Sequence, residues 1–293
     1  MNRYIHTVIA LVTCDAGPNL DPDEFATIKA LADRGVSAEM VSWTADVDWS
    51  RYELVIIRST WDYHENLPAF EKWVADVSRK TKLLNPPEAV FATSNKEYLD
   101  KLDKAGVRVV PTEYCRVGET PRVDFESEQY VVKPTVSAGS NNTFRVTADE
   151  IANRVQQIHQ LGRVAMIQPY IDSVDTRGET GLLFFNGEYS HAFNKGAMLR
   201  NNRDLVDGLY KEEVISTATP SAGEMHLAER CLAQAPTLGF SAADLLYARV
   251  DIVQVAQGDY RVLEFEVIEP SLFLAYGAGA LDRFADAIVS RLT

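Results

Sequence analysis

Cysteine is scarce in this 293-residue chain: Cys14, Cys115 and Cys231 are odd in number and far apart. That argues against a disulfide framework or a cysteine-rich zinc site and leaves each thiol as a small buried apolar residue. Positive charge is also short. Lys and Arg total 29 against 42 Asp and Glu, a formal charge of −13, which disfavours nucleic acid and anionic membrane surfaces as partners. Any anionic ligand must then be held by local cations, a metal or backbone amides. No apolar run is long enough to span a bilayer. The opening MNRYIHTVIALVTC is basic and then apolar, but its apolar part is short and β-branched and leads into an acidic turn instead of a cleavage site, so a cytoplasmic protein is expected. The loop after the first apolar run has no GxGxxG, which disfavours a nicotinamide dinucleotide. Repeats, low-complexity tracts and any Ser/His/Asp grouping are likewise missing, and the five histidines stand singly.

What is present is a globular composition, 46% apolar and 24% charged, in a chain long enough for two or three domains. Residues 5–13 read as a strand, 23–34 as a helix closed by Gly35, and 36–43 and 53–60 as further strands. This βαβ order predicts a parallel α/β first domain with ligands at the carboxyl ends of its strands. At one such end stand Arg58, Ser59, Thr60, Trp61 and Asp62. A guanidinium, two hydroxyls, an aromatic plate and a carboxylate suit a small zwitterion such as an amino acid; equally, Arg58 and Asp62 form a structural ion pair with Trp61 packed on the next helix. A helix follows at 67–77, and KLLNPP (82–87) reads as a short strand whose prolines mark a boundary near residue 90. Ser94 is expected to cap a helix ending at Gly106, and 107–115 to form a strand with a proline in it.

The stretch 130–146, YVVKPTVSAGSNNTFRV, carries a lysine, Lys133, from a buried strand into a loop of small residues, Ser137, Ala138, Gly139, Ser140, Asn141 and Asn142. An ammonium beside uncovered amides suits a polyphosphate, although a flexible hairpin with a surface lysine gives the same pattern. A helix at 148–161, a strand at 165–172 broken by Pro169 and a hairpin turning at Asn186-Gly187 are expected next. A mobile polar loop over 199–213 and a helix over 221–238 follow. The chain closes with strands 245–255 and 260–271 and a helix over 281–292. On the last strand a period of two puts Glu264 and Glu266 on one face. Two ionised carboxylates there, with Asp251 nearby, call for a cation between them, and a hard divalent ion such as Mg²⁺ is the simplest.

Taken in order, Asn95-Lys96, VVKP with its Ser/Gly loop, QPYI, GET, RVD and LEFEVIEPS resemble the ATP-grasp ligases, strongly over 94–293 and with residues 1–90 as the usual preceding α/β domain. The resemblance implies the ATP-grasp fold: a parallel α/β domain (1–93), a small central lid domain (94–168) and a C-terminal antiparallel-sheet domain (169–293), with ATP in the cleft between the last two. It implies that Lys96 and Lys133 contact the phosphates and that the loop with Ser137, Gly139 and Ser140 closes over them. Gln168, Pro169, Tyr170 and Ile171 match the hinge that stacks on adenine, and Glu179 the acid reaching the ribose. Asp251, Glu264 and Glu266 match the ligands of Mg²⁺, two ions in all, with Glu266 where many relatives carry asparagine. Lys195 and Arg249 would offset charge during phosphoryl transfer, and Arg58, Ser59, Thr60, Asp62, Arg200, Arg203 and Ser271 would meet the substrate.

Within that superfamily the chain is similar to glutathione-synthetase-like enzymes and, more closely, to the cyclo-ligase that closes O-ureido-D-serine to D-cycloserine. The implied activity is ADP-forming joining of a small carboxylate to an amine through an acyl phosphate. An intramolecular cyclo-ligase and a nucleotide-binding regulatory protein without turnover are the alternatives. Small molecules are the implied partners, with neither nucleic acid nor membrane, and a homodimer is an expectation because dimers are common among similar enzymes.

Overall fold

The computed structural model describes residues 8–17, 21–196, 205–206, 210–211 and 214–292. The chain opens as expected, with β1 (Val8–Thr13), α1 (Pro22–Ala32), β2 (Ser37–Ser42), β3 (Leu54–Ser59), α2 (Leu67–Ser78), β4 (Lys82–Leu84) and α3 (Pro87–Thr93). The strands lie in the order β2-β1-β3-β4, all parallel. β3 is buried throughout and β1 nearly so, which is why they read as near-continuous apolar runs. Asp21 starts α1 by accepting the Asp23 amide at 2.9 Å, with Pro22 in the first turn where no amide is needed. The prolines after β4 likewise start a helix, α3, where the sequence was read only as a boundary. Ser94 is accordingly the C-cap of α3 and not the N-cap of the next helix.

A second sheet follows α4 (Tyr98–Lys104): β5 (Glu113–Cys115), β6 (Tyr130–Pro134), β7 (Phe144–Val146), α5 (Ile151–Gln160) and β8 (Ala165–Pro169). Its order is β5-β8-β6-β7, antiparallel at every pairing. The strand expected over 107–115 shrinks to its last three residues, with one bridge from Val109 to Val262, because Pro111 has no amide to give to a ladder. Ile151, Val155 and Ile158 of α5 pack on the apolar face of this sheet.

The remainder comprises α6 (Val174–Arg177), β9 (Glu179–Phe185), β10 (Glu188–Lys195), β11 (Leu205–Val206), β12 (Tyr210–Lys211), β13 (Ile215–Ala218), α7 (Ala222–Ala233), α8 (Ala235–Leu238), β14 (Tyr247–Ala256), β15 (Asp259–Glu266) and α9 (Ala280–Ser290). The antiparallel sheet β13-β10-β9-β14-β15 is its frame. The turn from β9 to β10 falls at Asn186-Gly187 with φ of 51° and 82°, the double positive value that a tight hairpin requires. The helix expected over 221–238 divides at Gln234, since Pro236 cannot continue the α7 ladder. The last strand stops at Glu266, short of the expected 271.

Helix α9 joins the two large sheets: Phe284 and Ile288 share one core with Ile9 and Leu54 on one side and Leu183 and Tyr247 on the other. Helix α4 packs Tyr98, Leu99 and Leu102 against Val250, Val262 and Phe265 of β14 and β15. No helix among the described residues is long and apolar enough to cross a membrane.

Candidate active site

One cavity of about 460 Å³ is walled by the β5-β8-β6-β7 sheet, the five-stranded sheet and segments that follow β1 and β3 of the parallel sheet. Lys133 of β6 and Gln168 and Pro169 of β8 face Glu179, Lys195, Arg249, Asp251, Glu264 and Glu266 of the five-stranded sheet across it. Strand register brings opposite charges together at two pairs, Lys195 opposite Glu179 and Arg249 opposite Glu266, and sets the two acids Asp251 and Glu264 opposite each other. Alternation along β15 puts Glu264 and Glu266 toward the cavity and buries Phe265 behind them.

These charges are extensively paired. Lys133 Nζ donates to Glu264 Oε1 at 2.6 Å, and Lys96 Nζ lies 3.9 Å from Glu264 Oε2. Burial alone would raise the Glu264 carboxyl, but Lys133 and Lys96 outweigh it and hold it well below the ordinary carboxylate range. Arg249 grips Asp251 with two bonds of 2.9 Å and reaches Glu266 Oε1 at 2.6 Å. Burial still pushes Glu266 up, as Asp251 and Glu264 add to it against Arg249. Lys195 pairs with Glu179 at 3.1 Å, and burial leaves that carboxyl raised as well. Three hard-oxygen carboxylates are the donor type that Mg²⁺ takes, so the residues fit the ion in kind. They are not gathered into a ready cage, however. Among the described residues no group of three or more His, Cys, Asp or Glu is arranged to hold a metal, and Lys133 and Arg249 pair with the carboxylates. The expected metal set is thus present on one wall, with cations as its partners.

The small-residue loop behaves as its composition predicts. Gly139, Ser140 and Asn142 have φ of 57°, 60° and 53°, and Ser137, Gly139, Ser140 and Thr143 line the cavity. Lys96 anchors it, donating to Ser137 O at 2.9 Å. At the opposite strand end Tyr170 and Ile171 complete the wall, with the Arg145 guanidinium 3.6 Å from the centre of the Tyr170 ring and the Tyr170 hydroxyl 2.6 Å from Asp175.

The substrate candidates divide. Ser271 lines the cavity, whereas Arg58, Ser59, Thr60 and Asp62 do not. Arg58 is 2% exposed and sits between Glu24 (3.6 Å) and Asp21 (3.8 Å). Burial and the acids Asp21 and Asp23 raise the Glu24 carboxyl to about 8 in spite of Arg58. Ser59 and Thr60 are buried, and Asp62 accepts the Trp43 indole N–H at 2.8 Å. Arg58 is thus ion-paired within the structure, but with Glu24 and Asp21 and not with the expected Asp62. The cavity takes Trp61 and Tyr63 from the same segment instead. Arg200 and Arg203 lie outside the described residues. His191 is buried and bonds Leu272 O at 2.9 Å. Asp21, Asp23 and Glu269 also line the cavity and were not read from the sequence. Burial and then Glu266 push Glu269 up to about 8. The repeated acid of LEFEVIEPS was the signal available for it.

Comparison with known proteins agrees with this geometry. Residues 9–85 match the family model described as the N-terminal domain of D-cycloserine synthetase DcsG. The cycloserine biosynthesis protein DcsG of Streptomyces lavendulae is 35% identical over 97% of this chain and 99% of its own. The chain belongs to the DcsG family of ATP-grasp ligases. The crystal structure of D-cycloserine synthetase DcsG superposes with a TM-score of 0.86 at 33% identity, covering 98% of this chain and 100% of that one. The ATP-grasp ligase PsnB, solved with a precursor variant, Mg and ADP, has a TM-score of 0.63 at 17% identity over 99% and 100% of the two chains, a likeness of fold. As a DcsG-family member this protein is an enzyme, an ATP-dependent ligase joining carboxylate to amine.

Proposed function

We propose that this ligase closes a ring within one amino-acid substrate, with O-ureido-D-serine as substrate and D-cycloserine as product. The observation that carries the reading is the single cavity in which Lys96 and Lys133 face Asp251, Glu264 and Glu266. The full-length likeness to D-cycloserine synthetase supports cyclisation over coupling of two molecules. In this reading the substrate carboxylate takes the γ-phosphoryl group of ATP, leaving ADP; the oxygen-bound ureido nitrogen of the same molecule then displaces phosphate to close the ring, and water removes the carbamoyl group as CO2 and ammonia. Lys96 and Lys133 bind the phosphates, and the loop with Ser137, Gly139 and Ser140 supplies amides and excludes water. Gln168, Pro169, Tyr170 and Ile171 orient the base, with Glu179 at the ribose. Lys195 and Arg249 offset negative charge as the phosphoryl group moves, which is where most catalysis of such transfers resides. Asp251, Glu264 and Glu266 would hold Mg²⁺, whose charge when bound neutralises the triphosphate; PsnB, which shares the fold, was solved with Mg and ADP.

Three lobes, 1–93, 94–168 and 169–293, complete the reading. One sheet of four or five strands in each lobe supports this division, and the packing of α4 on β14 and β15 ties the second lobe to the third. The test is to supply ATP, Mg²⁺ and O-ureido-D-serine alone to the purified protein. One ADP per D-cycloserine is expected, and ADP release that waits for a second amine contradicts the proposal.

A further inference from the structure

Between β15 and α9 the chain runs irregularly from Val267 to Phe273, yet it is tightly held. Six successive carbonyl oxygens are each met by a side chain from elsewhere. Val267 receives Asn85 Nδ2 at 2.7 Å, Ile268 the Tyr247 hydroxyl at 2.7 Å, and Glu269 the Trp61 indole N–H at 3.2 Å. Pro270 receives Arg58 Nη1 at 3.3 Å, Ser271 Arg249 Nη1 at 3.1 Å, and Leu272 His191 Nε2 at 2.9 Å. Buried backbone outside regular structure needs partners, and here they come from both the parallel sheet and the five-stranded sheet. The run ends at Phe273 with φ of 48°, a left-handed conformation that favours glycine. Such clamping fixes the two polar side chains that the segment offers to the cavity, Glu269 and Ser271.

Glu269 differs from the neighbouring acids on this wall. Glu179, Asp251, Glu264 and Glu266 each have a lysine or arginine within 3.1 Å. Among the described residues no ion pair reaches Glu269, Lys96 and Arg249 act on it only from beyond ion-pair distance, and its carbonyl is held by the Trp61 N–H. A buried carboxylate with no cation in ion-pair reach, in a cavity that Trp61 and Tyr63 also line, is the chemistry that receives an alkylammonium group.

Resting on the ligase reading above, we propose that Glu269 is the specificity-determining residue that binds the α-ammonium of the amino-acid substrate. Arg58 and Trp61 are positioning residues that act through the carbonyls of Pro270 and Glu269. An α-amine held as ammonium has no lone pair with which to attack an activated carboxyl. The ureido nitrogen is then the nucleophile left to the bound molecule for attack on its own activated carboxyl.

The test compares kcat/KM for O-ureido-D-serine with that for 3-(ureidooxy)propanoate, which lacks only the α-amine. Glu269→Gln is expected to lower kcat/KM for the amino acid about 10- to 100-fold, the range for losing a charged hydrogen bond. KM for ATP, the Mg²⁺ requirement and turnover of the desamino compound should be unchanged, so the preference for the amine collapses. Trp61→Phe keeps the ring and removes the N–H; it should raise KM for the amino acid alone. A preference retained in Glu269→Gln overturns the proposal, as does a raised Mg²⁺ requirement, which would make Glu269 a metal ligand. Wild-type protein idle on O-ureido-D-serine but active on another amino acid contradicts the cyclisation reading alone, and the same comparison then decides for Glu269 with that amino acid and its desamino analogue.

Discussion

Lys133 Nζ and Glu264 Oε1 lie 2.6 Å apart although 131 residues separate them in the chain. This contact joins the β5-β8-β6-β7 sheet to the five-stranded sheet across the cavity, and it places a strong cation and a strong acid where a metal–triphosphate would be shared. Replacing the carboxylate by its neutral isostere keeps the shape and a hydrogen bond to Lys133 but removes the charge. Glu264→Gln is therefore expected to retain the wild-type circular dichroism spectrum while losing at least about 100-fold in kcat. Turnover near wild type in that variant contradicts the assignment of this wall.

Much of that wall was legible in the sequence. The period-two placement of Glu264 and Glu266, Lys133 at a strand end and the small-residue loop after it are local patterns, and local patterns survive folding when strand alternation alone decides which way a side chain points. Arg58 was read as a ligand contact because a guanidinium beside two hydroxyls at a strand end has the same local signature whether it faces a cleft or a buried acid. Its partners Asp21 and Glu24 stand more than thirty positions earlier and carry no periodicity that links them to it. The clamped run Val267–Leu272 was read as the end of a strand for a related reason: bonds from distant side chains to backbone carbonyls leave no mark in the sequence that receives them.

Asn85 shows how strongly that run is tied to the first sheet. It is fully buried, donates to Tyr247 O at 2.8 Å and Val267 O at 2.7 Å, and accepts from Leu246 N at 2.7 Å. Asn85→Ala strands two carbonyls and one amide in the interior and is expected to lower stability by about 2–4 kcal/mol. Urea denaturation measures it, and a loss below about 1 kcal/mol contradicts the structural role given to this side chain.

Arg58 has a similar consequence. With Glu24 and Asp21 as its only ion-pair partners among the described residues and 2% of its own surface exposed, it compensates acids that water does not reach. Arg58→Met preserves apolar bulk and removes the charge; it is expected to cost about 3 kcal/mol in chemical denaturation. Stability equal to wild type would show that the two acids need no counter-charge.

His64 makes the pH dependence testable. Burial, then Arg163 and Lys96, lower its pKa from 6.5 to about 4, and neither ring nitrogen has a hydrogen-bond partner. The folded protein thus keeps a neutral imidazole that the unfolded chain protonates below pH 6.5. Its contribution is fully present above pH 6.5 and is lost as pH falls from 6.5 toward about 4, by at most about 3 kcal/mol. His64→Phe is expected to remove that part of the acid-side decline in unfolding free energy. Parallel pH profiles for the two proteins contradict the assignment.

The most direct measurement is a crystal structure with a non-hydrolysable ATP analogue and Mg²⁺. The account expects the phosphates between Lys96 and Lys133, the metal on Asp251, Glu264 and Glu266 with Arg249 and Lys133 drawn away from those carboxylates, and the base against Gln168–Ile171. A nucleotide bound elsewhere, with the Lys133–Glu264 pair intact and the cavity empty, would contradict it.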